Sequence, residues 1–362
     1  MTMTWGHRFR VEIFGSSHGP EVGATIHGIP PGTPIDVARI QAELDRRRPV
    51  GRRLATKRQE EDQLVVDSGV TDGRATGAPI RGHVANQDVR RASYEPLRTV
   101  PRPGHADFPA RTRYGPSEDL SGGGIFSGRM TVGLVFAGTI ARSLWEAKGV
   151  EFVAFTRSIG PVDAVVDEGE PVAELRRRSA LNEIGTPDGA AAERMASAIE
   201  EARRAGDSVG GTIEARIVGL PVGVGEPFFD TVEGSIAQLA FAVPAVKAIE
   251  FGAGFGAARL TGSTHNDPFV LDGDRVTTRT NRAGGILGGL TVGTPVVFRV
   301  AVKPTSSIAI EQESVDLERK APVRLKVTGR HDPCIVPRAV PVIEAVAAIA
   351  LADLGLAGGF LP

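Results

Sequence analysis

The sequence predicts an α+β chain, on three observations. Segments with strand character carry apolar alternation or β-branched residues: Phe9, Val11 and Ile13, then 24–27, 63–68, 212–218, 296–303 and 323–328. Segments with helix character lie at 36–48, 131–147, 190–205 and 231–241. The two kinds intermix without the strand–helix–strand rhythm of a doubly wound sheet.

Each element follows from local chemistry. Phe9, Val11 and Ile13 alternate as a half-buried strand, which runs into the small-residue loop Gly15-Ser16-Ser17-His18-Gly19; 24–27 returns beside it. Asp36 is a candidate N-cap for the first helix, whose apolar stripe is Val37, Ile40 and Leu44. That spacing continues onto Arg47. Arg47 therefore either faces inward toward an anion or snorkels at the helix end, where the dipole favours a cation. Asp230, with Glu233 three residues later, resembles a capping arrangement for 231–241. The apolar segment 340–356 is interrupted by Glu344 and Asp353, too short and too charged for a comfortable membrane span, and reads as a core-packing helix.

Composition limits the function classes. The 362 residues suit one large or two smaller domains, with no internal period that would mark a solenoid. Net charge is -1, and Tyr and Trp number 2 each, which argues against a nucleic-acid-coating surface with stacking platforms. The single cysteine, Cys334, cannot form an internal disulfide and fits a reducing cytoplasm. The opening MTMTWGHRFRVEIF lacks the apolar run of a secretory signal. Seven histidines show no HExxH or other ligand spacing, so no metal site is expected.

Four polar loops are the candidates for chemistry. In 15–19, His18 can exchange a proton near neutral pH, although a satisfied turn histidine explains it equally well. In Arg102-Pro103-Gly104-His105-Ala106-Asp107, a histidine lies two residues from a carboxylate; the turn reads as a general acid held cationic by Asp107 or by a bound anion, or as a capped loop. Ser121-Gly122-Gly123-Gly124, ahead of a helix, presents backbone N–H groups for an anion without being a Walker A loop. Lys303-Pro304-Thr305-Ser306-Ser307 can cradle a phosphate, and Gly329-Arg330-His331-Asp332 offers a base flanked by cations. Arginines crowd 46–58 and 90–113, which in a nearly neutral chain suggests a pocket for a small polyanion.

These segments, in this order, resemble the chorismate synthase family almost end to end. The resemblance is carried by FGSSHG, LDRRRP, RPGHAD, the triple glycine, FAVPAVKAIEFGAGF, TNRAGGILGG, KPTSSI and GRHDPCIVPRAVPVIEA. It implies a single domain over 1–362, built as a β-α-β sandwich with helices between two antiparallel sheets, in a cytoplasmic homotetramer. It implies an anti 1,4-elimination of phosphate from 5-enolpyruvylshikimate 3-phosphate, with reduced FMN as cofactor, NADPH as its candidate reductant, and no net redox change. The implied catalytic residues are His18 toward the flavin, His105 as general acid, and Asp332 assisting proton removal from C6 through the flavin N5. Implied cofactor contacts are Arg47, Arg53, Phe126, Ser127, Gly128, Pro244, Ala245, Gly288, Lys303, Pro304, Thr305, Ser306, Ser307 and Arg330. Implied substrate contacts are Ser17, Arg47 and Arg129. With arginines crowding the site, His105 is expected to depend on a bound phosphate to stay protonated. Two departures stand out: Ser16 replaces the family's glutamate, and Ile125-Phe126-Ser127-Gly128-Arg129-Met130-Thr131 replaces RSSARET. The competing readings are a paralogue that binds without turnover, a metal-assisted phosphohydrolase and a nucleic-acid binder.

Overall fold

The structure, a computed structural model, describes residues 3–48, 54, 61–87, 97–115, 121–327 and 331–362. Among these, two five-stranded sheets form the outer layers. The first holds β1 (Thr4–Trp5), β2 (Arg10–Gly15), β3 (Glu21–His27), β4 (Val65–Ser68) and β5 (Ile80–Ala85), in the order β1-β2-β3-β5-β4. The second holds β6 (Glu151–Ile159), β7 (Val162–Asp163), β8 (Gly211–Val218), β9 (Val246–Phe251) and β10 (Val296–Val302), in the order β9-β10-β8-β6-β7. Every pairing within both sheets is antiparallel. The predicted alternation at the start of the chain sets the register, with Val11 opposite Ile26 and Ile13 opposite Ala24.

The helices are α1 (Val37–Arg47), α2 (Asp107–Tyr114), α3 (Thr131–Glu146), α4 (Val172–Ser179), α5 (Gly189–Ala205), α6 (Val232–Ala242) and α7 (Val336–Ala357). Helix α3 packs on β3, α7 packs on β6 and β8, and the two helices pack on each other, so helices lie between the sheets as expected. Both are apolar nearly all round, as a helix covered on every side must be. Of the 22 residues of α7, 17 are buried. By length and composition α7 could cross a membrane, yet 94% of its most apolar window is packed inside the protein. Small residues let α3 and α7 approach closely: a Cβ on Gly138 would fall 2.3 Å from the Cβ of Ala345.

The two acids that interrupt α7 are both anchors. The Asp353 carboxylate accepts the backbone N–H groups of His7 (3.0 Å), Arg8 (2.6 Å) and Phe9 (2.8 Å). Glu344 accepts from Arg142 of α3, from Arg176 of α4 at 3.0 Å and from the Ala154 N–H of β6 at 3.0 Å. Arg142 also reaches Glu43 of α1 at 2.6 Å. Burial pushes the Glu344 carboxyl up, but Arg176, Arg142 and Arg46 outweigh it and hold it at about 2.

Several local expectations are corrected. Helix α6 is capped by Thr231, whose side chain accepts from the Gly234 N–H, rather than by Asp230. The predicted strand 323–328 is observed at Ala321–Leu325, paired with Gln312–Asp316 in a separate hairpin. Strands β5, β6 and β9 and helices α2 and α4 are additions to the sequence reading.

Candidate active site

A cavity of about 530 Å³ opens where the middle helices meet the ends of the second sheet, within the usual range of ~300–1,000 Å³ for small-molecule sites. Its polar wall is built by two docked loops. The 303–307 loop leaves β10 and is held by the Lys303 N–H donating to the Ala245 carbonyl at 2.9 Å. The 102–107 turn then seats on it. Lys303 Nζ donates to the Gly104 carbonyl at 2.6 Å, Ser306 Oγ donates to the same oxygen at 2.7 Å, and Arg102 Nη1 donates to Ser307 Oγ at 3.1 Å. Gly104 has φ 72, and a Cβ there would meet Ser306 Oγ at 3.3 Å, so this docking requires glycine.

The docked turn aims His105. Its Nδ1 lies 2.6 Å from Asp107 Oδ1, a separation that requires a proton on Nδ1, and Asp107 is clamped from the other side by Arg102 Nε and Nη2 at 2.7 Å each. Burial works against the Asp107 charge, yet the hydrogen bonds from Arg102 and His105 hold its carboxyl well below the usual range. His105 therefore has a built-in carboxylate partner in Asp107, with Arg102 Nη2 also 3.1 Å from the same ring nitrogen. Its Nε2 lies toward Gly123, where a Cβ would stand 3.3 Å away.

The opposite wall carries Arg47, Arg129, Arg338 and Asp332. Of the two readings left open for Arg47, the structure shows the inward one: the side chain lines the cavity and the residue is 4% exposed. Its Nη2 donates to Asp62 Oδ2 at 2.6 Å, while Arg129 donates to the other oxygen of Asp62. Asp332 pairs with Arg338, whose Nε donates to the Arg47 carbonyl at 3.1 Å. Thr305 Oγ1 donates to the Asp332 carbonyl at 2.9 Å and so ties the two walls together. Phe126, Val243, Pro244, Ala245, Ile335 and Val342 supply apolar lining, and the Phe126 ring sits 6.3 Å from that of Tyr114.

Most of the predicted residues thus converge. Arg47, His105, Phe126, Ser127, Gly128, Arg129, Pro244, Ala245, 303–307 and Asp332 all line one cavity. His18 and Ser17 stand behind the wall. His18 is 2% exposed, with its Cε1 2.0 Å from where a Gly122 Cβ would be, and the Ser17 N–H donates to the Gly124 carbonyl. Gly288 sits in the turn between Ile286–Leu287 and Leu290–Thr291, away from the lining. Arg53 and Arg330 lie outside the described residues. The arginine clusters separate by helical phase: Arg46 turns to Glu43 and Arg48 to Asp45, while Arg111 pairs with Glu318. Sequence reasoning gave no site role to Asp62 or Arg338, and placed Arg102 only within a cluster. Local spacing holds no signal for Asp62, whose two partners lie 15 and 67 residues away. Among the described residues no group of His, Cys, Asp and Glu is placed to hold a metal ion.

The chemistry of this arrangement is specific. Five basic side chains, Arg47, Arg102, Arg129, Lys303 and Arg338, line the cavity against three carboxylates: Asp332 on the lining, Asp62 between Arg47 and Arg129, and Asp107 beside Arg102. Such a cavity favours a polyanion, and His105, His331 and Asp332 are the proton-exchanging groups on its walls.

Comparison with known proteins follows the same line. A sequence model of the family described as chorismate synthase matches residues 9–356. The chain is 45% identical to a chorismate synthase of Dehalococcoides mccartyi over 100% of this chain and 99% of that one. It is 47% identical to one from Korarchaeum cryptofilum, covering 96% of each. It is 49% identical to one from Aeropyrum pernix, covering 96% of this chain and 91% of that one. A crystal structure of chorismate synthase superposes with a TM-score of 0.79 at 27% identity, over 98% of this chain and 93% of that one. With a shared fold and full-length similarity, the chain belongs to the chorismate synthase family of lyases.

Proposed function

We propose that this cavity carries out the anti 1,4-elimination of phosphate from 5-enolpyruvylshikimate 3-phosphate, with reduced FMN bound alongside, to give chorismate. The observation that carries the reading is the convergence of five cations, a carboxylate-backed histidine and Asp332 on one hollow. Ester and flavin together bring two phosphates and two carboxylates, which cannot be buried without such cations.

The residues present fit a flavin. Buried Arg47 lines the cavity with an Nε that lacks a hydrogen-bond partner among the described residues. Gly128 leaves open space where a side chain would intrude. Lys303 and Ser307 offer donors suited to a phosphate, on a loop that the Thr305 and Ser306 hydroxyls fix by donating to the Asp332 and Gly104 carbonyls, and Phe126, Val243 and Pro244 supply an apolar wall. Reduced FMN, held by these residues, would supply the transient electron density that an elimination without net redox change calls for. Arg47 and Arg129 hold the ester's anionic groups. His105, with Nδ1 locked on Asp107, offers Nε2 as the acid near the departing phosphate. Asp332, oriented by Arg338, receives the proton lost from C6. His18 supports the flavin side from behind the triple glycine. Gly288, Arg53 and Arg330 keep the contact roles implied by the family resemblance. NADPH is the candidate reductant of the flavin, no nucleic acid or membrane takes part, and the chain acts in the cytoplasm as a homotetramer. Exposed Phe228, Phe229, Phe255 and Leu271 supply apolar surface for such an assembly.

The test is an anaerobic assay with photoreduced FMN and the enolpyruvyl ester, following chorismate and phosphate together. Equal, flavin-dependent release of both is expected. Phosphate without chorismate, or turnover with oxidised FMN alone, overturns the reading.

A further inference from the structure

We propose that Asp62 is a positioning residue for the anion site, fixing the guanidinium groups of Arg47 and Arg129 in one arrangement before the ester arrives. The proposal rests on the functional reading of the cavity given above. Asp62 is 3% exposed and uses both carboxylate oxygens, one toward each arginine. Both arginines line the cavity. Without the carboxylate, two buried like charges would repel and separate.

The surroundings fix Asp62 in turn. Its backbone is left-handed, φ 48, and Gln41 of α1 clamps it: the side-chain Nε2 donates to the Asp62 carbonyl at 3.1 Å, and Oε1 accepts from the Leu64 N–H at 2.9 Å. Each arginine is also held away from Asp62. Arg129 Nε donates to Asn86 Oδ1 at 2.8 Å, and Asn86 Nδ2 donates to the Ser16 and Gly19 carbonyls, which joins the first glycine loop to the same network. The Arg47 carbonyl receives the Arg338 Nε. Two arginines ordered in advance lose little rotamer freedom on binding, so Asp62 acts through them on affinity.

A second role for Asp62, as a mere turn residue, makes a different prediction. Glycine adopts φ 48 freely and asparagine more readily than most residues, so Asp62→Gly and Asp62→Asn both preserve the turn. Ester binding to flavin-free protein is measured by calorimetry, and KM and kcat with reduced FMN, alongside circular dichroism as a check of folding. The expected result in both variants is ester affinity weakened about tenfold or more, with KM rising to match and kcat changed by roughly threefold or less. Should the single variants fail to fold, Arg47→Met is compared with Arg47→Met/Asp62→Asn, which removes both charges of the buried pair and keeps a residue suited to φ 48. The double variant should then bind the ester more weakly than Arg47→Met, because Arg129 has lost its anchor. Wild-type affinity in a folded Asp62 variant, with Arg129→Ala defective, overturns the positioning role and leaves the cavity reading intact; so does a double variant equal to Arg47→Met. A wild-type protein that does not bind the ester overturns both.

Discussion

Replacing Glu344 with glutamine tests how the middle layer is held. The carboxyl stands at about 2 against an ordinary 4.5, and the group is 2% exposed. A displacement of that size corresponds to about 3 kcal/mol of folding free energy. Breaking a buried ion pair by removing one partner costs about 3–5 kcal/mol by an independent route. The two agree because Glu344 answers Arg142 and Arg176 while accepting a strand N–H. The sign follows from a folded value below the unfolded one: the stabilisation is complete above 4.5 and disappears as pH falls toward 2. Urea unfolding followed by the fluorescence of buried Trp145 should show Glu344→Gln about 3 kcal/mol less stable than wild type at neutral pH, the gap narrowing by about pH 3.5. A difference under about 1 kcal/mol at neutral pH, or a gap that does not narrow in acid, refutes the argument. The substitution should also raise KM, since α1 and α7, which meet Glu344 through Arg46 and directly, carry Arg47 and Arg338.

Other perturbations probe the site itself. Asp107→Asn removes the negative charge that faces His105 Nδ1–H and should lower kcat about a hundredfold in the steady-state assay, with smaller effect on KM. Gly122→Ala places a methyl 2.0 Å from His18 Cε1 at φ 61; flavin binding should be lost and the free energy of unfolding, from urea titration, should fall by at least about 2 kcal/mol. Lys303→Ala should weaken FMN about tenfold in a flavin-fluorescence titration, because it removes a phosphate donor and the link to Gly104. Burial pushes the Cys334 thiol up to about 12, so an aromatic disulfide reagent should label it only as the protein unfolds, at a rate that tracks denaturant.

Much of this architecture is legible where one face of an element is wet. The alternation at Phe9, Val11 and Ile13, the Asp36 cap and the stripe at Ile40 and Leu44 appear as read, although Val37, at the start of that stripe, is exposed in the first turn. Legibility fails where burial is two-sided or partners are remote. Strand β6 reads EFVAFTRSI, with both faces covered, so no alternation marks it. Helix α2 begins inside a turn chosen for its histidine and has only Asp107 and Ala110 buried. Adjacent arginines at 46, 47 and 48 look like one cluster along the chain, yet a helix rotates them to three different partners. His18 and His105 look equivalent as residues of glycine-rich loops, but only the latter reaches the cavity wall. What separates them is the path of the triple glycine, a long-range fact that spacing does not encode.

The place of α7 bears on how the polypeptide reaches this state. The helix is inserted between layers whose strands all precede it in the sequence, and Asp353 grips residues 7–9, some 346 positions earlier. During synthesis, α3 can cover the first sheet early, but the second sheet emerges before the helix that packs on its inner face and must wait for it. Contacts spanning such separations favour slow maturation and a sticky nascent chain. A ribosome stopping before Val336 would release not a trimmed enzyme but an unclosed shell, a natural client for chaperones and proteases.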